Sequence, residues 1–301
     1  MGIWGKTGIN CFVLITGYFM CTMEITGKKF WKLVGTRYFY AVVIWCIFFL
    51  TGYEEFSAMG FLKMLLPVFE VASNFTTCYF LFYLLLPFLN KLVHVLTEKE
   101  HFCLGAWCFG IYVVLPSFIK INVVFNYITW FCILYVFASY IRLYPKKWFE
   151  DTKVTGVLVL ISLGLSWGSV IVLAFVSRFV GKDIGLAYFL VSDSNKILAL
   201  TTGISTFLFF KSLKIGYSKG INTVASATFG VLMIHAGSDA MRRWLWKDVC
   251  NNVGAYENGN VIAHAVVCVA IVYTLCTVID VLRIKVTDLG RSLKMRTGIP
   301  D

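Results

Sequence analysis

The sequence predicts an all-α, polytopic membrane protein. Of its 301 residues, 59% are hydrophobic and only 14% are charged, and the mean hydropathy is +0.78. Soluble domains carry about 25% charged residues, and here apolar stretches recur along the whole chain without a polar half. We therefore expect a single integral membrane domain covering residues 1–301.

Nine apolar stretches approach the roughly 20 residues that a helix needs to cross the hydrocarbon core. They are 9–23, 34–50, 75–92, 102–118, 125–143, 154–179, 197–210, 221–236 and 261–282. We expect about nine transmembrane helices. The segment 61–72 is too short to cross and contains Pro67 and Glu70, so we predict an interfacial or re-entrant segment there.

The basic residues are distributed unevenly between the two sides of this predicted topology. When the loops alternate sides, one side receives 18 of the 27 Lys and Arg residues, whereas the 16 acidic residues divide 8 and 8. This bias explains the net charge of +11 by the positive-inside rule and gives no reason to expect nucleic acid binding. It predicts a cytoplasmic C-terminus and an outer Met1. One more helix before Met1 would bring both ends inside.

The ten cysteines give no disulfide or metal pattern. Nine lie in apolar stretches, and Cys250 lies in a polar loop that contains no second cysteine. Neither a CxxC pair nor metal-ligand spacing occurs, so we predict that the cysteines are small apolar packing residues and that there is no metal site.

Ionisable side chains at membrane depth are costly and are therefore functional candidates. His235 follows an apolar helix, where it is either a satisfied polar contact between helices or a group that exchanges protons. A polar and aromatic cluster directly after it favours the second role. Its members are Ser238, Asp239, Arg242, Arg243 and Trp246.

The other candidates are weaker. Glu70 and Asn74 are one helical turn apart and form either the wall of a substrate cavity or an exposed interfacial turn. We interpret Asp280, one turn before Arg283, as an ion pair, and His264 as a packing or interfacial residue.

A basic segment follows the first apolar stretch, with Lys28, Lys29, Lys32 and Arg37. These side chains either obey the positive-inside rule or bind the phosphates of a polyanionic ligand, and the sequence leaves both readings open. The chain contains no Walker loop, GxGxxG, zinc signature or GxSxG elbow, and no paired catalytic carboxylates.

Four local patterns occur in an order that resembles a known family. They are GINCFVLITGYF at 8–19, YFLFY with PFLNK at 79–91, STFLFFKSLK at 205–214, and ASATFGVLMIH at 225–235 with Arg242 or Arg243 and Trp246 beyond it. Together they resemble the membrane acyltransferase-3 family, in its branch of bacterial polysaccharide O-acetyltransferases. The resemblance extends from about Gly5 to Arg283.

The resemblance implies ten transmembrane helices in the bacterial cytoplasmic (inner) membrane, with both ends in the cytoplasm. It also implies transfer of an acyl group, most simply acetyl, from acyl-CoA such as acetyl-CoA to a hydroxyl of a cell-surface or lipid-linked polysaccharide, without a bound cofactor. The family's Arg and catalytic His lie on its first helix, which we expect upstream of Met1. Thr16, Leu232 and Ala236 depart from the residues common in the family.

Within this chain His235 is the candidate catalytic residue. The candidates for binding substrate or donor are Gly17, Tyr18, Lys28, Lys29, Lys32, Arg37, Glu70, Asn74, Tyr79, Tyr83, Arg242 and Arg243. Two other hypotheses remain: a transporter or flippase of lipid-linked sugar, and a truncated acyltransferase without activity. The first predicts inverted repeats with broken helices in both halves, which the sequence does not display.

Overall fold

A computed structural model describes residues 6–65, 74–119, 121, 123, 125–181 and 184–297. Every regular element among these residues is helical. The α-helices are α1 Thr7–Met20, α2 Gly27–Leu50, α3 Ala58–Leu65, α4 Phe75–Val95, α5 Glu98–Phe109, α6 Tyr127–Leu143, α7 Thr152–Val180, α8 Ile197–Ser212, α9 Lys219–Ala236, α10 Asp239–Arg243, α11 Asn252–Glu257 and α12 Val261–Thr297. π-helical segments continue α5 over Gly110–Ile119 and α10 over Trp244–Val249.

Five helical segments are long and apolar enough to cross a membrane: α2, α4, Glu98–Phe118, α7 and Val261–Leu289. Three shorter helices, α1, α6 and α8, are also apolar. Large apolar side chains are exposed on the outer faces of these helices, for example Trp107 (72% exposed), Leu160 (71%) and Phe179 (89%). Apolar surface of this extent fits a lipid environment. The all-helical fold is thus confirmed among the described residues, five helical segments are able to span a membrane, and the number of nine spans stays a prediction.

Polar residues at the loop ends explain where several helices begin. Thr97 forms a capping box with Glu100 at the start of α5, and the other side-chain caps are Asn74, Asn126, Asp151, Ser218, Ser238 and Asn251. Each accepts hydrogen bonds from backbone N–H groups that have no partner within their helix.

The chain divides into two compact units. The first unit comprises Met1–Thr26 and Glu70–Ile215, and the second unit comprises Gly27–Phe69 and Gly216–Asp301. We describe each by itself.

In the first unit α1, α6 and α8 run in the same direction. Near their beginnings, Asn10 accepts a hydrogen bond from Trp130 Nε1 (3.0 Å) and donates one to the Ala199 carbonyl (3.1 Å). Near the ends of α6 and α1, Arg142 donates to the Tyr18 hydroxyl (3.0 Å). The buried Asn10 side chain therefore ties three apolar helices together, which is how polar groups act between helices in a membrane.

In chain order, the helices from α4 to α8 alternate in direction. α4 is parallel to α1, because Asn90 near its end donates to the Met20 carbonyl at the end of α1 (2.9 Å). α5 runs the opposite way, since His101 at its beginning contacts the Val136 carbonyl in the second half of α6 (3.0 Å). α7 is antiparallel to α8, and three hydroxyl pairs join them: Thr155–Ser212 (2.9 Å), Ser162–Ser205 (2.8 Å) and Ser166–Thr202 (3.2 Å).

In the second unit α2 and α9 are parallel and α12 is antiparallel to both. The Phe48 ring near the end of α2 lies 5.8 Å from the Trp244 ring, which follows α9 and α10. Near this same end His264, at the beginning of α12, contacts Asn252 (3.2 Å). The core consists of Tyr40, Phe48, Val231, Met233, Ile234, Ala240, Met241, Leu245, Val272 and Cys276.

After α2, the described residues contain the eight-residue helix α3, Ala58–Leu65. Arg37 Nη1 donates to the Met64 carbonyl (2.8 Å) and the Tyr38 hydroxyl donates to the Leu65 carbonyl (2.6 Å). The last carbonyls of α3 have no partners within the helix, so α2 supplies them. The predicted non-crossing segment 61–72 agrees with α3 up to residue 65, and the rest lies outside the described residues.

Candidate functional site

His235 ends α9 with its imidazole in a defined tautomer. Nδ1 lies 2.7 Å from the Val231 carbonyl oxygen, one turn earlier, and must donate its proton because a carbonyl can only accept. In the neutral ring Nε2 then carries the lone pair, and the contact to Val231 is the one hydrogen bond that this imidazole makes within the described part of the chain. The side chain is partly exposed. His235 is therefore a partly accessible imidazole whose free nitrogen can accept a proton.

The polar cluster predicted around His235 forms only in part. The Trp246 ring meets the imidazole edge to face at 6.3 Å, so this pair is brought together. Arg242 instead pairs with Asp239, and Arg243 extends to Glu54 (3.0 Å). Both arginines are exposed, with side-chain exposures of 55% and 65%. Within the described residues, neither arginine makes a hydrogen bond to His235.

Acidic and phenolic groups after α2 complete this end of the second unit. The Tyr53 hydroxyl donates to Asp248, and that hydrogen bond, with a smaller effect of burial, raises the pKa of Tyr53. Glu54 therefore pairs with Arg243, and Asp248 with Tyr53, each across a long stretch of the chain. One signal in the sequence is a run of polar residues at 53–55 directly after an apolar helix, but this run does not reveal its pairing with the segment after α9.

The lysines proposed for phosphate binding lie at the opposite end of this unit. Lys28, Lys29 and Lys32 are exposed in the first turns of α2, whereas His235 lies beside the end of α2. The 18 residues from Lys32 to Leu50 span about 27 Å of helix. Arg37 is only 9% exposed and bonds to α3, so it does not belong to the exposed lysine group. The second unit therefore separates the lysines from His235 by most of a helix length.

Thr16, Gly17 and Tyr18 contact other helices of the first unit. The Thr16 and Tyr79 hydroxyls are 3.1 Å apart. A β-carbon at Gly17 would lie 2.9 Å from Ala138 Cβ, so α1 and α6 approach closely at this position. The Tyr18 ring lies under the Arg142 guanidinium, 4.8 Å from its centroid. All these contacts join α1 to other helices of the first unit.

The remaining candidates of the first unit differ in exposure. Tyr79 and Tyr83 are 4% and 2% exposed, and thus offer no open face for a sugar in this conformation. The Asn74 side-chain oxygen accepts the backbone N–H groups of Thr76 and Thr77, which gives it a capping role. Glu70 lies outside the described residues.

One end of the first unit is rich in cations. It collects the ends of α1, α4, α6 and α8 and the beginnings of α5 and α7, with Lys91, Lys99, Arg142, Lys146, Lys147, Lys153, Lys211 and Lys214. Lys146 pairs with Glu98 and Lys211 with Glu150. Lys211 and Arg142 also both face the Tyr18 ring. All eight belong to the 18 basic residues that fall on one side when the loops alternate sides. Their position at a common end is therefore consistent with the predicted topology of this unit.

Two buried polar groups make contacts that the sequence did not predict. Asn10 is fully buried and joins α1, α6 and α8. Asp280 is also fully buried, and its Oδ1 accepts from Tyr40 (2.7 Å) and Arg283 (2.6 Å). The predicted ion pair with Arg283 is present, and Tyr40 is the additional partner that the sequence did not indicate.

Comparison with known proteins gives no family. No protein-family model, curated protein or solved structure matches this chain. Among the described residues, no three His, Cys, Asp or Glu side chains are grouped so as to hold a metal ion.

Proposed function

We propose that the protein is a membrane-embedded O-acyltransferase similar to the acyltransferase-3 family, and that it resides in the bacterial cytoplasmic membrane. It transfers an acyl group, with acetyl as the first candidate, from acyl-CoA to a hydroxyl group of a cell-surface or lipid-linked polysaccharide. The observation that carries the proposal is His235, whose Nδ1–H is fixed by the Val231 carbonyl so that Nε2 is free to act as a base beside Trp246.

The reaction requires one proton acceptor and an attacking hydroxyl. A sugar hydroxyl gives its proton to His235 Nε2 while its oxygen attacks the thioester carbon. The C–S bond then breaks, and the departing thiolate takes this proton back from His235 Nε2 to leave as CoA–SH. The Trp246 ring offers an apolar face of the kind on which a sugar ring packs. His235 therefore serves as a general base, and the exposed Arg242 and Arg243 are available for an anionic or polar acceptor.

The exposed lysines of α2 and the imidazole of His235 lie toward opposite ends of the second unit. This arrangement suits a donor that enters from one end and an acceptor that enters from the other. Exposed Lys28, Lys29 and Lys32 supply charge for the donor's phosphates at one end of the second unit. In the proposed orientation this basic end and the C-terminus face the cytoplasm. The thioester must then reach toward His235 through the bundle.

The test measures transfer of radiolabelled acetyl from acetyl-CoA to polysaccharide by protein reconstituted in liposomes. We expect His235→Ala to lower the rate constant about 100-fold or more, in the range typical of a lost general base. His94→Ala is the matched control, because His94 Nδ1 makes the same contact to the carbonyl one turn earlier (Asn90, 2.8 Å) but lies in the first unit. It should retain normal transfer.

Three outcomes would separate the hypotheses. Equal transfer by His235→Ala and wild type would remove His235 from the mechanism but leave the acyltransferase proposal intact. No labelled product with any acceptor tested would contradict the proposed activity. Movement of lipid-linked sugar across the liposome membrane without release of CoA would favour a flippase.

A further inference from the structure

An apolar groove in the first unit lies between the beginning of α5, the second half of α6 and the middle of α8. Its volume is about 330 Å³, within the range of pockets that hold small ligands. Apolar residues form most of its lining, among them Phe102, Gly105, Ala106, Phe137, Ile141 and Ile204. Phe102 is 60% exposed, so the groove opens on the outer surface of these helices.

The groove follows the axis of α5. Its lining on this helix extends from His101 to Phe109, which is about 12 Å of helix. One leaflet of the hydrocarbon core is about 15 Å deep. Gly105 and Ala106 in the middle of this stretch carry almost no side chain, which keeps the groove open. A slot of this length and polarity fits an acyl chain of one leaflet.

The end of the groove nearest to the start of α5 is polar. His101 lines it, and its Nε2 donates to the Val136 carbonyl (3.0 Å), while its buried Nδ1 has no hydrogen-bond partner among the described residues. Tyr140 lines the groove from α6, and its hydroxyl donates to Glu98 (3.3 Å). Glu98 in turn pairs with Lys146. The wall of the groove is therefore connected to a charged rim.

This rim carries positive charge on the side of the groove. Lys99 lies three residues before Phe102 and thus on the same face of α5. It is exposed and has no ion-pair partner in the described part of the chain. Glu98 is neutralised by Lys146, and Glu100, two residues before Phe102, faces away from the groove and belongs to the capping box. Lys99 is therefore available to an anionic group at the mouth of the groove.

We propose that the groove binds an anionic phospholipid. One acyl chain occupies the apolar slot, and the headgroup phosphate lies beside Lys99. The polarity of the site falls in the same order as that of the lipid, from the charged rim through His101 and Tyr140 to the apolar slot. Basic pockets between transmembrane helices recognise anionic headgroups through the same combination of charge and apolar surface. The site belongs to the first unit and does not depend on acyl transfer at His235.

The test uses the whole protein reconstituted in phosphatidylcholine vesicles. Two trace probes carry the same photoreactive diazirine on one acyl chain, and their headgroups are phosphatidylglycerol and phosphatidylcholine. After irradiation, mass spectrometry compares how strongly each probe labels the α5 peptide that contains Phe102–Phe109. We expect the phosphatidylglycerol probe to label this peptide about fivefold more strongly, the preference that one lysine gives for an anionic lipid.

Two variants examine the slot and the rim separately. Ala106→Trp should fill the slot and lower labelling of the α5 peptide by the phosphatidylglycerol probe at least about fivefold, to the level of the neutral probe. Cys103→Trp is its control, because it adds the same bulk at an exposed position of α5 outside the groove. Lys99→Gln should bring the ratio of the two probes close to one, whereas Lys153→Gln, at an exposed lysine on α7 at the same end, should preserve it.

Three results would overturn the proposal. Equal labelling of the α5 peptide by both probes in the wild type would show that the groove does not select an anionic lipid. Labelling that is the same in Ala106→Trp and Cys103→Trp would show that no acyl chain occupies the slot. Equal ratios in Lys99→Gln and Lys153→Gln would remove Lys99 from headgroup recognition.

Discussion

The carboxyl group of Asp280 on α12 occupies the space that a side chain at Gly230 on α9 would need. A β-carbon at position 230 would overlap the carboxyl carbon and both oxygens. Asp280 cannot easily move away, because Tyr40 and Arg283 both donate to its Oδ1. Glycine at 230 therefore allows α2, α9 and α12 to share one buried charged group, five residues before His235.

Replacing Gly230 with alanine should destabilise the second unit by about 1 to 3 kcal/mol, the usual cost of overpacking a core. The measurement is the thermal unfolding midpoint of the purified protein. Gly35→Ala is the control, since Gly35 lies on α2 of the same unit and a β-carbon there would meet nothing within 4 Å. Alanine favours a helix over glycine, so the control should be neutral or slightly stabilising. Equal midpoints for the two variants would refute the close contact.

Tyr40→Phe should cost about 1.5 to 3 kcal/mol, because it removes a hydrogen bond to a buried carboxylate. Asp280 would keep only Arg283 as a hydrogen-bond donor among the described residues. The check is chemical denaturation of the variant beside Tyr217→Phe, whose side chain belongs to a residue 86% exposed in the same unit. The control should unfold like the wild type, and a Tyr40→Phe curve that coincides with it would disprove this role.

Gly17→Ala should loosen the first unit, because the new β-carbon would lie 2.9 Å from Ala138 Cβ and 3.1 Å from Tyr135 Cα. We expect a loss of about 1 to 3 kcal/mol. Adding Ala138→Gly removes the closer obstacle, so the double variant should be more stable than the sum of the two single effects. Gly8→Ala, on the same helix with nothing within 4 Å, is the control. Strictly additive effects would contradict a contact between Gly17 and Ala138.

The sequence predicted the helices well because their apolar stretches are long and their ends are marked by polar caps. The predicted stretch 75–92 corresponds to α4, which begins after the cap Asn74. The stretch 34–50 begins too late, because Lys28, Lys29 and Lys32 belong to the first turns of α2 and raise its local polarity. Hydropathy alone cannot distinguish a polar helix end from a loop.

The partners of individual side chains were less predictable, because they depend on helix packing across long sequence separations. Asp280 meets Tyr40 across 240 positions, and Asn10 meets Trp130 across 120. The arginines after His235 had an obvious neighbour in sequence, yet Arg243 reaches Glu54 instead.

Lys6 and Lys196, two lysines near Asp193, should contribute to folding stability with opposite dependences on alkaline pH. Burial lowers the pKa of Lys6, but its hydrogen bonds to Tyr127 and Asp193 outweigh this and raise the pKa overall. The folded state therefore binds this proton more tightly than the unfolded state. Its stabilising contribution is complete below the unfolded pKa of about 10.4 and is lost as the pH rises through the folded value.

Burial, offset in part by Asp193, lowers the pKa of Lys196, which donates to the Pro116 carbonyl (2.9 Å). The folded state binds this proton less tightly, so stability recovers as the pH rises through the lowered folded pKa toward about 10.4. Unfolding midpoints of wild type, Lys6→Met and Lys196→Met, measured from about pH 8 to about pH 11, check both signs. The advantage of wild type over Lys6→Met should shrink across this range, and its difference from Lys196→Met should shift in favour of wild type. Slopes of the same sign would show that the two lysines do not differ in environment.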